Sequence, residues 1–307
     1  MARSLVSVSD LGRDGLATIG GMIAQLLPVG AATQSLAGLQ FAGLFLEAST
    51  RTRLAFESAA RRLGAGFSLV DRGSSSIAKG ESFRDTLDTL QATGFDAVIV
   101  RSPWSGLPLQ LLSWSGLPIV NAGDGTREHP TQAIGDVILV AQHFKRELDA
   151  GNAFDGLTFA IVGDVKHSRV ARSLAALIDR LGGSVRLVGP PAMLADPRAF
   201  GARVGATEEL APGIAGVDVV YMLRVQRERL AEGEWASFGS YQERYQLNRE
   251  RLAAAGDIQL VMHPGPVNRG VELTDEIFED SRFAAWRQVE MGAATRMAVL
   301  EWVMERL

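Results

Sequence analysis

The sequence predicts an α/β chain of two domains, each a mostly parallel sheet with helices on both faces, the two joined by interdomain helices. Three observations predict it. Short apolar runs alternate with stretches whose apolar residues recur at helical spacing, the pattern of parallel strands covered by helices. These runs fall into two sets of four. The length of 307 residues is ample for two domains of ordinary size.

The elements follow in chain order. Leu16, Ile19, Ile23 and Leu26 mark a first amphipathic helix, and Phe41–Leu46 a first strand. Leu54, Phe56, Ala60 and Leu63 give the next helix. Strands are then expected at Phe67–Val70, Ala97–Val100 and Pro118–Asn121. A helix from Pro130 to about Glu147 can bridge the two halves, with a hinge at Gly151-Asn152. The second set comprises Thr158–Val162, Ser184–Val188, Asp218–Leu223 and Gln259–Met262. A long amphipathic helix closes the chain through Trp286, Val289, Ala293, Met297, Leu300, Val303 and Leu307.

Composition excludes several function classes. There is no cysteine, which removes disulfide scaffolds, thiolate metal sites and cysteine nucleophiles, and suits a reducing compartment. Charged residues interrupt the N-terminal segment, so no signal peptide is read there, and no apolar run approaches a membrane span. The expectation is a soluble, cytoplasmic protein with no membrane partner. A net charge of −4 without a basic block argues against nucleic acid. The four histidines (His129, His143, His167, His263) form no ligand pattern, so no metal is expected.

Ligands of open α/β sheets bind beyond the carboxyl ends of the strands, so the residues after each run matter most. After the first comes Ser49-Thr50-Arg51-Thr52-Arg53, leading into a helix. Ser49 or Thr50 suits the N-cap. Arginines in a first helical turn oppose the helix dipole at a cost of a few tenths to about 1 kcal/mol, relieved if an anion binds there. The segment lacks the glycine-rich loop and lysine of a P-loop.

Arg101 follows the third run, where a surface arginine is an equal reading. His129-Pro130-Thr131-Gln132 follows the fourth. Proline favours the first helical position, which puts His129 at the helix start, where the dipole disfavours imidazolium. A neutral imidazole donor there suits an oxygen that gains negative charge, although a plain capping histidine would look the same. Gln132 shares that first turn.

Gly163-Asp164-Val165-Lys166-His167-Ser168-Arg169 follows the fifth run, but the next glycine is Gly182, so no dinucleotide fingerprint is present and no cofactor is expected. Arg224-Val225-Gln226-Arg227-Glu228-Arg229 follows the seventh run, and His263-Pro264-Gly265-Pro266 the eighth. That last turn is stiff, and taken alone it can be purely architectural. Together the strand ends carry Arg51, Arg101, Arg169 and Arg224, a strongly positive set within an acidic chain. Such a set is suited to a phosphate and carboxylates.

These segments resemble the aspartate and ornithine carbamoyltransferase superfamily over nearly the whole chain. Ser49–Arg53 resembles its carbamoyl phosphate signature and His129–Gln132 its second signature. Tyr221–Gln226 and His263–Pro266 resemble the aspartate branch. Ornithine enzymes typically carry a cysteine at the position of Thr131 and a His-Cys-Leu-Pro turn, and neither stands here.

The resemblance implies transfer of the carbamoyl group of carbamoyl phosphate to the amine of L-aspartate, giving N-carbamoyl-L-aspartate and phosphate in pyrimidine biosynthesis. It implies direct attack without a covalent intermediate. It further implies a carbamoyl phosphate-binding domain of residues 1–145 with 286–307, and an aspartate-binding domain of 146–285. Ser49, Thr50, Arg51 and Thr52 would bind the phosphate. Arg101, His129 and Thr52 would contact the carbamoyl oxygen, and Gln132 the carbamoyl nitrogen. Arg51, Thr52, Arg101 and His129 form the expected catalytic set. Arg169, Arg224 and Gln226 would hold the aspartate carboxylates. The carbonyls of Pro264 and Gly265 would accept from the carbamoyl amino group and the incoming amine.

By the same resemblance, Ser76 (or Ser75) and Lys79 reach the site of a neighbouring subunit, with Lys79 also contacting aspartate, which makes a homotrimer the active unit. Higher assembly with regulatory chains or dihydroorotase is open. The alternatives are a carbamoyltransferase for ornithine or a related amine, a non-catalytic carbamoyl phosphate-binding paralogue, and an oxidoreductase that binds a dinucleotide.

Overall fold

A computed structural model describes residues 3–12, 14–28, 30, 32–71, 73, 75–149, 151–226 and 238–305. Arg227, Glu228 and Arg229 after the seventh expected strand, Ser74 and Leu307 lie outside the described residues. The chain divides into two compact units, residues 1–138 with 289–307 and residues 139–288. The chain passes between them twice, and each passage lies within a helix, Pro130–His143 and Ala285–Val303.

The first unit holds a parallel sheet of β1 (Gln40–Phe45), β2 (Gly66–Asp71), β3 (Ala97–Ser102) and β4 (Ile119–Asp124), in the order β2-β1-β3-β4. Its helices are α1 (Gly15–Leu26), α2 (Thr50–Arg62), α3 (Phe83–Ala92), α4 (Leu107–Trp114) and the start of α5 (Pro130–His143). The inner strands read as apolar runs because both faces are covered. Ala42, Leu44, Val98 and Val100 cluster with Leu87 and Leu90 of α3 and Leu107 and Leu111 of α4. Each fully buried leucine of this kind contributes about 1.5–3 kcal/mol.

The second unit holds β5 (Thr158–Val162), β6 (Ser184–Val188), β7 (Val204–Thr207), β8 (Val219–Met222) and β9 (Leu260–Met262), all parallel, in the order β7-β6-β5-β8-β9. Around them lie α6 (Arg169–Arg180), α7 (Leu210–Ile214), α8 (Phe238–Tyr245) and α9 (Arg249–Ala254). The strand β7 is absent from the sequence-based expectation. It is a short edge strand, Val-Gly-Ala-Thr, with Gly205 and Ala206 exposed, so no apolar run announces it.

Two expected helices differ in character. The bridging helix α5 stops at His143, where Lys145 takes a positive φ of 53°, instead of continuing to Glu147. The terminal helix α10 (Ala285–Val303) is buried almost all round from Ala294 to Val303, including Thr295, Arg296 and Glu301, so it is a core helix and not an amphipathic one. Met291, a residue where a polar one is expected by resemblance, is buried beside Gly135 of α5, 3.5 Å from where a β-carbon there would sit. Gly151-Asn152 lies in the turns before β5, within the second unit.

In both sheets the order reverses at one place, between β1 and β3 and between β5 and β8. The connections on either side of that point leave in opposite directions, and the gap between them is where an open sheet receives a ligand.

Beside β9 the chain returns at 280–284. Val261 N donates to the Arg282 carbonyl (2.9 Å) and Ala284 N to the Val261 carbonyl (2.8 Å). The Asp280 carboxylate accepts from Arg282 N, Nε and Nη2 at 2.8–2.9 Å. These donors hold its pKa down to about 2, from an ordinary 3.8. A depressed carboxylate stabilises the fold above its unfolded pKa, and that contribution is lost as pH falls through the folded value. Asp280→Asn should therefore lower stability at neutral pH by on the order of 1 kcal/mol and flatten the acid loss between about pH 4 and 2. Thermal melts across that range check it, and an unaltered slope contradicts it.

Candidate active site

Within the first unit, Ser49 caps α2 with extended backbone, and its hydroxyl accepts from Thr52 N at 3.3 Å. The serine, not Thr50, is thus the N-cap, and Thr50, Arg51 and Thr52 make up the first turn. Arg51 is exposed and Thr52 buried. The neighbouring strand brings in Arg101, because Phe45 pairs with Arg101 across β1 and β3. Its guanidinium donates to the Ala122 carbonyl of β4 (3.1 Å) and faces the Glu47 carboxylate (3.2 Å). Arg101 is therefore fixed across three strand ends and is not a loose surface arginine.

His129 and Gln132 come from the next strand over. Asp124, fully buried at the end of β4, accepts from Gly106 N (2.6 Å), Asn121 Nδ2 (2.9 Å) and Glu128 N (3.1 Å). Glu128 in turn accepts from Ser7 Oγ and Val8 N. This network sets the loop that delivers His129 to the start of α5, where its carbonyl accepts from Gln132 N and Ala133 N. His129 is buried, and Gln132 is half-buried with its Nε2 donating to Asp136 Oδ1 at 3.1 Å. Adjacent strands lie about 4.8 Å apart, so the ends of β1, β3 and β4 bring Ser49–Thr52, Arg101 and His129–Gln132 to one edge of the sheet.

Ser76 and Lys79 stand apart from that group. Both are exposed on a short 3-10 turn (Ser76–Lys79) after β2, the outer strand on the far side of β1. Ser75, which precedes the turn, has a buried hydroxyl.

In the second unit the same architecture repeats. Ser168 caps α6, its hydroxyl accepting from Ala171 N at 3.1 Å, and buried Arg169 is the first helical residue. Gly163 ends β5 with φ +125°, and a β-carbon there would meet the Leu223 carbonyl at 3.0 Å. Only glycine lets the ends of β5 and β8 approach so closely. The loop after β8 is tied to the loop after β5, since Gln226 Nε2 donates to the His167 carbonyl at 3.0 Å. The His167 ring contacts Asp164 at 2.8 Å. Burial pushes the Asp164 carboxyl up, and His167 opposes that shift.

Glu272, fully buried, arranges the remaining segments. Its carboxylate accepts from Val225 N (2.8 Å), between Arg224 and Gln226, and from Asn268 N and Nδ2 (2.9 and 2.8 Å). Burial raises its pKa, and these donors act against the rise. The Pro264-Gly265 turn is set by Gly265, at φ +64°, whose N–H donates to His263 Nδ1 at 2.9 Å. An accepting Nδ1 means that the His263 ring is neutral with its proton on Nε2.

Each unit therefore offers cationic and polar groups at its own switch point, suited to anions. Sequence reasoning missed the acids that hold them: Glu47, Asp124, Asp136 and Glu272. A faint signal exists for Asp136, which is four residues from Gln132 and so on the same helix face.

Comparison with known proteins also divides the chain in two. Residues 3–142 match the family model described as aspartate/ornithine carbamoyltransferase, carbamoyl-P binding domain, and residues 155–303 the Asp/Orn binding domain of the same family. The aspartate carbamoyltransferase catalytic subunit of Salinispora tropica is 44% identical over 289 residues, covering 93% of this chain and 89% of that protein. That of Gluconacetobacter diazotrophicus is 47% identical over 267 residues, covering 87% and 80%. The structure of aspartate transcarbamoylase from Trypanosoma cruzi in complex with N-(phosphonacetyl)-L-aspartic acid superposes with a TM-score of 0.86 at 30% identity, covering 99% of this chain and 96% of that one. The catalytic subunit of M. jannaschii aspartate transcarbamoylase gives 0.84 at 28% identity, covering 99% and 98%.

Glu272→Gln would turn an amide NH2 against the N–H of Val225 or Asn268. Leaving such buried donors unmatched is expected to cost about 1–3 kcal/mol. Chemical denaturation measures it, and an unchanged midpoint would show that Glu272 does not hold these two segments.

Proposed function

The chain belongs to the aspartate/ornithine carbamoyltransferase family, and from that premise we propose how its residues divide the work of catalysis. The protein is a transferase that moves the carbamoyl group of carbamoyl phosphate to the amino group of L-aspartate. What carries the proposed division is the placement of arginines at both switch points, one set suited to a phosphate and the other to carboxylates.

Residues 1–145 with 286–307 are assigned to carbamoyl phosphate and 146–285 to aspartate. Ser49, Thr50, Arg51 and Thr52 hold the phosphate at the start of α2, where backbone N–H groups and the dipole favour an anion. Arg101, His129 and Thr52 face the carbamoyl oxygen, and Gln132 the carbamoyl nitrogen. Pro264 and Gly265 present carbonyls to the carbamoyl and aspartate amines. Arg169, Arg224 and Gln226 bind the two aspartate carboxylates. Ornithine would require an acidic partner for its side-chain ammonium in their place.

Carbamoyl phosphate binds first. The neutral amine of aspartate attacks the carbamoyl carbon, and the oxygen takes negative charge. Arg101, His129 and Thr52 stabilise that charge as fixed donors. Collapse breaks the bond to phosphate, which departs and takes the amine proton. Orientation of the two substrates supplies up to about 7–11 kcal/mol. No protein nucleophile is needed.

A homotrimer is proposed as the active unit, with Ser76 and Lys79 completing a neighbour's site. The exposed turn that carries them, away from the other site residues, supports this. The cytoplasm is the proposed compartment, consistent with a cysteine-free chain, and further assembly with regulatory chains or dihydroorotase is compatible with it. Among the described residues no helix is long and apolar enough to cross a membrane.

His129→Ala should lower turnover about 100- to 1000-fold while changing carbamoyl phosphate affinity far less. Labelled carbamoyl transfer to aspartate, with ornithine as the control amine, measures this; near-wild-type turnover removes His129 from the mechanism. Mixing inactive Arg51→Ala and Lys79→Ala proteins should restore part of the activity by forming hybrid trimers. No recovery, with a monomer in sedimentation, contradicts the shared site.

A further inference from the structure

Gln132 poses a problem that its assigned role does not solve. A carboxamide has a donor end and an acceptor end of nearly equal shape, and only the oxygen can accept from a carbamoyl NH2. Something must determine which end faces the substrate. Asp136 lies one turn further along α5, is 1% exposed, and accepts from Gln132 Nε2 at 3.1 Å. An ionised carboxylate only accepts, so it admits the NH2 end of Gln132 and leaves Oε1 for other donors.

Arg296 of α10 interacts with it electrostatically. That guanidinium is itself buried, lies 5.3 Å over the Phe56 ring, and donates to the Gly292 carbonyl at 2.6 Å. Burial lowers its pKa to about 10, with Asp136 acting against that fall, so it stays cationic at neutral pH. A cation that interacts with a buried carboxylate favours its ionised form, whereas an isolated carboxyl would favour the protonated form, which can donate.

We propose that Asp136 is a positioning residue that makes the site selective for a carbamoyl phosphate over an acyl phosphate by fixing the orientation of the Gln132 amide. The proposal rests on the reading of Gln132 as the partner of the carbamoyl nitrogen. Acetyl phosphate is the matching probe, because it replaces the NH2 with a methyl group and keeps the phosphate and the carbonyl. With Gln132 locked, acetyl phosphate leaves Oε1 without a donor. Once the lock is lost, the amide can turn and Gln132 no longer favours carbamoyl phosphate.

The test is the ratio of dissociation constants for acetyl and carbamoyl phosphate, measured by calorimetry on the full chain. Asp136→Ala would strand the Arg296 charge, so the paired Asp136→Leu/Arg296→Met change is used, which replaces both charged groups with apolar ones of similar volume. Asp136→Asn is the second variant. Its NH2 can donate to Gln132 Oε1, which reverses that amide.

In folded protein from either variant, the ratio should fall about tenfold, the worth of one hydrogen bond to a buried group, with inorganic phosphate bound nearly as before. Gln132→Ala should show the same fall. An unchanged ratio in the Asp136 variants alongside a collapse in Gln132→Ala overturns the positioning role. An unchanged ratio in Gln132→Ala overturns the reading of Gln132 and the inference with it.

Discussion

Arginine in the first turn of a helix faces the positive end of the helix dipole, and this chain puts one there in each half. Arg51 lies in the first turn of α2 and Arg169 begins α6, each on the helix that follows the first strand of its sheet. Both placements are electrostatically unfavourable in the empty protein by up to about 1 kcal/mol. An anion reverses the sign, because the guanidinium, the free backbone N–H groups and the dipole then act on the same charge. The rest of the site follows from that need. The strand order reverses beside each of these helices, so the residues after the adjacent strands gather at the same edge.

Holding cationic and neutral polar donors in place takes acids, and four of them do it, three of them buried. Glu47 faces Arg101, Asp124 ties the loop ahead of His129, Asp136 receives Gln132, and Glu272 secures the backbone between Arg224 and Gln226. A buried carboxylate is costly unless several donors satisfy it. Asp124 and Glu272 each accept three or more hydrogen bonds, mostly from backbone N–H groups of loops that have no regular structure of their own. The loops owe their shape to these acids, and the donors proposed to meet substrate owe their direction to the loops.

Much of this was legible in the sequence, for a physical reason. Strands buried on both faces must be largely apolar, so most of the eight expected ones stand out as runs for that reason, and Thr158–Val162 and Ser184–Val188 appear with their observed bounds. Strand β7 escaped because its exposed edge needs no such run. Arginines after strand ends were legible because the strand-end rule gives them a purpose. The supporting acids were not. Glu272 acts 47 residues from Val225, and a lone acid on a helix or loop usually reads as a solvated charge. Arg296 stands in a helix expected to be amphipathic, and only packing reveals it as a buried cation.

The central proposal is that the residues assigned to phosphate and those assigned to the aspartate carboxylates bind one pair of substrates. A bisubstrate ligand joining a phosphonate to an aspartate, such as the N-(phosphonacetyl)-L-aspartic acid bound by the Trypanosoma cruzi protein, measures it directly. Its affinity should be lost by about 100-fold or more in Arg51→Ala and equally in Arg224→Ala, each removing a charge-assisted contact worth roughly 3 kcal/mol. If either variant binds it as tightly as the unaltered protein, the two sets of residues do not share one ligand.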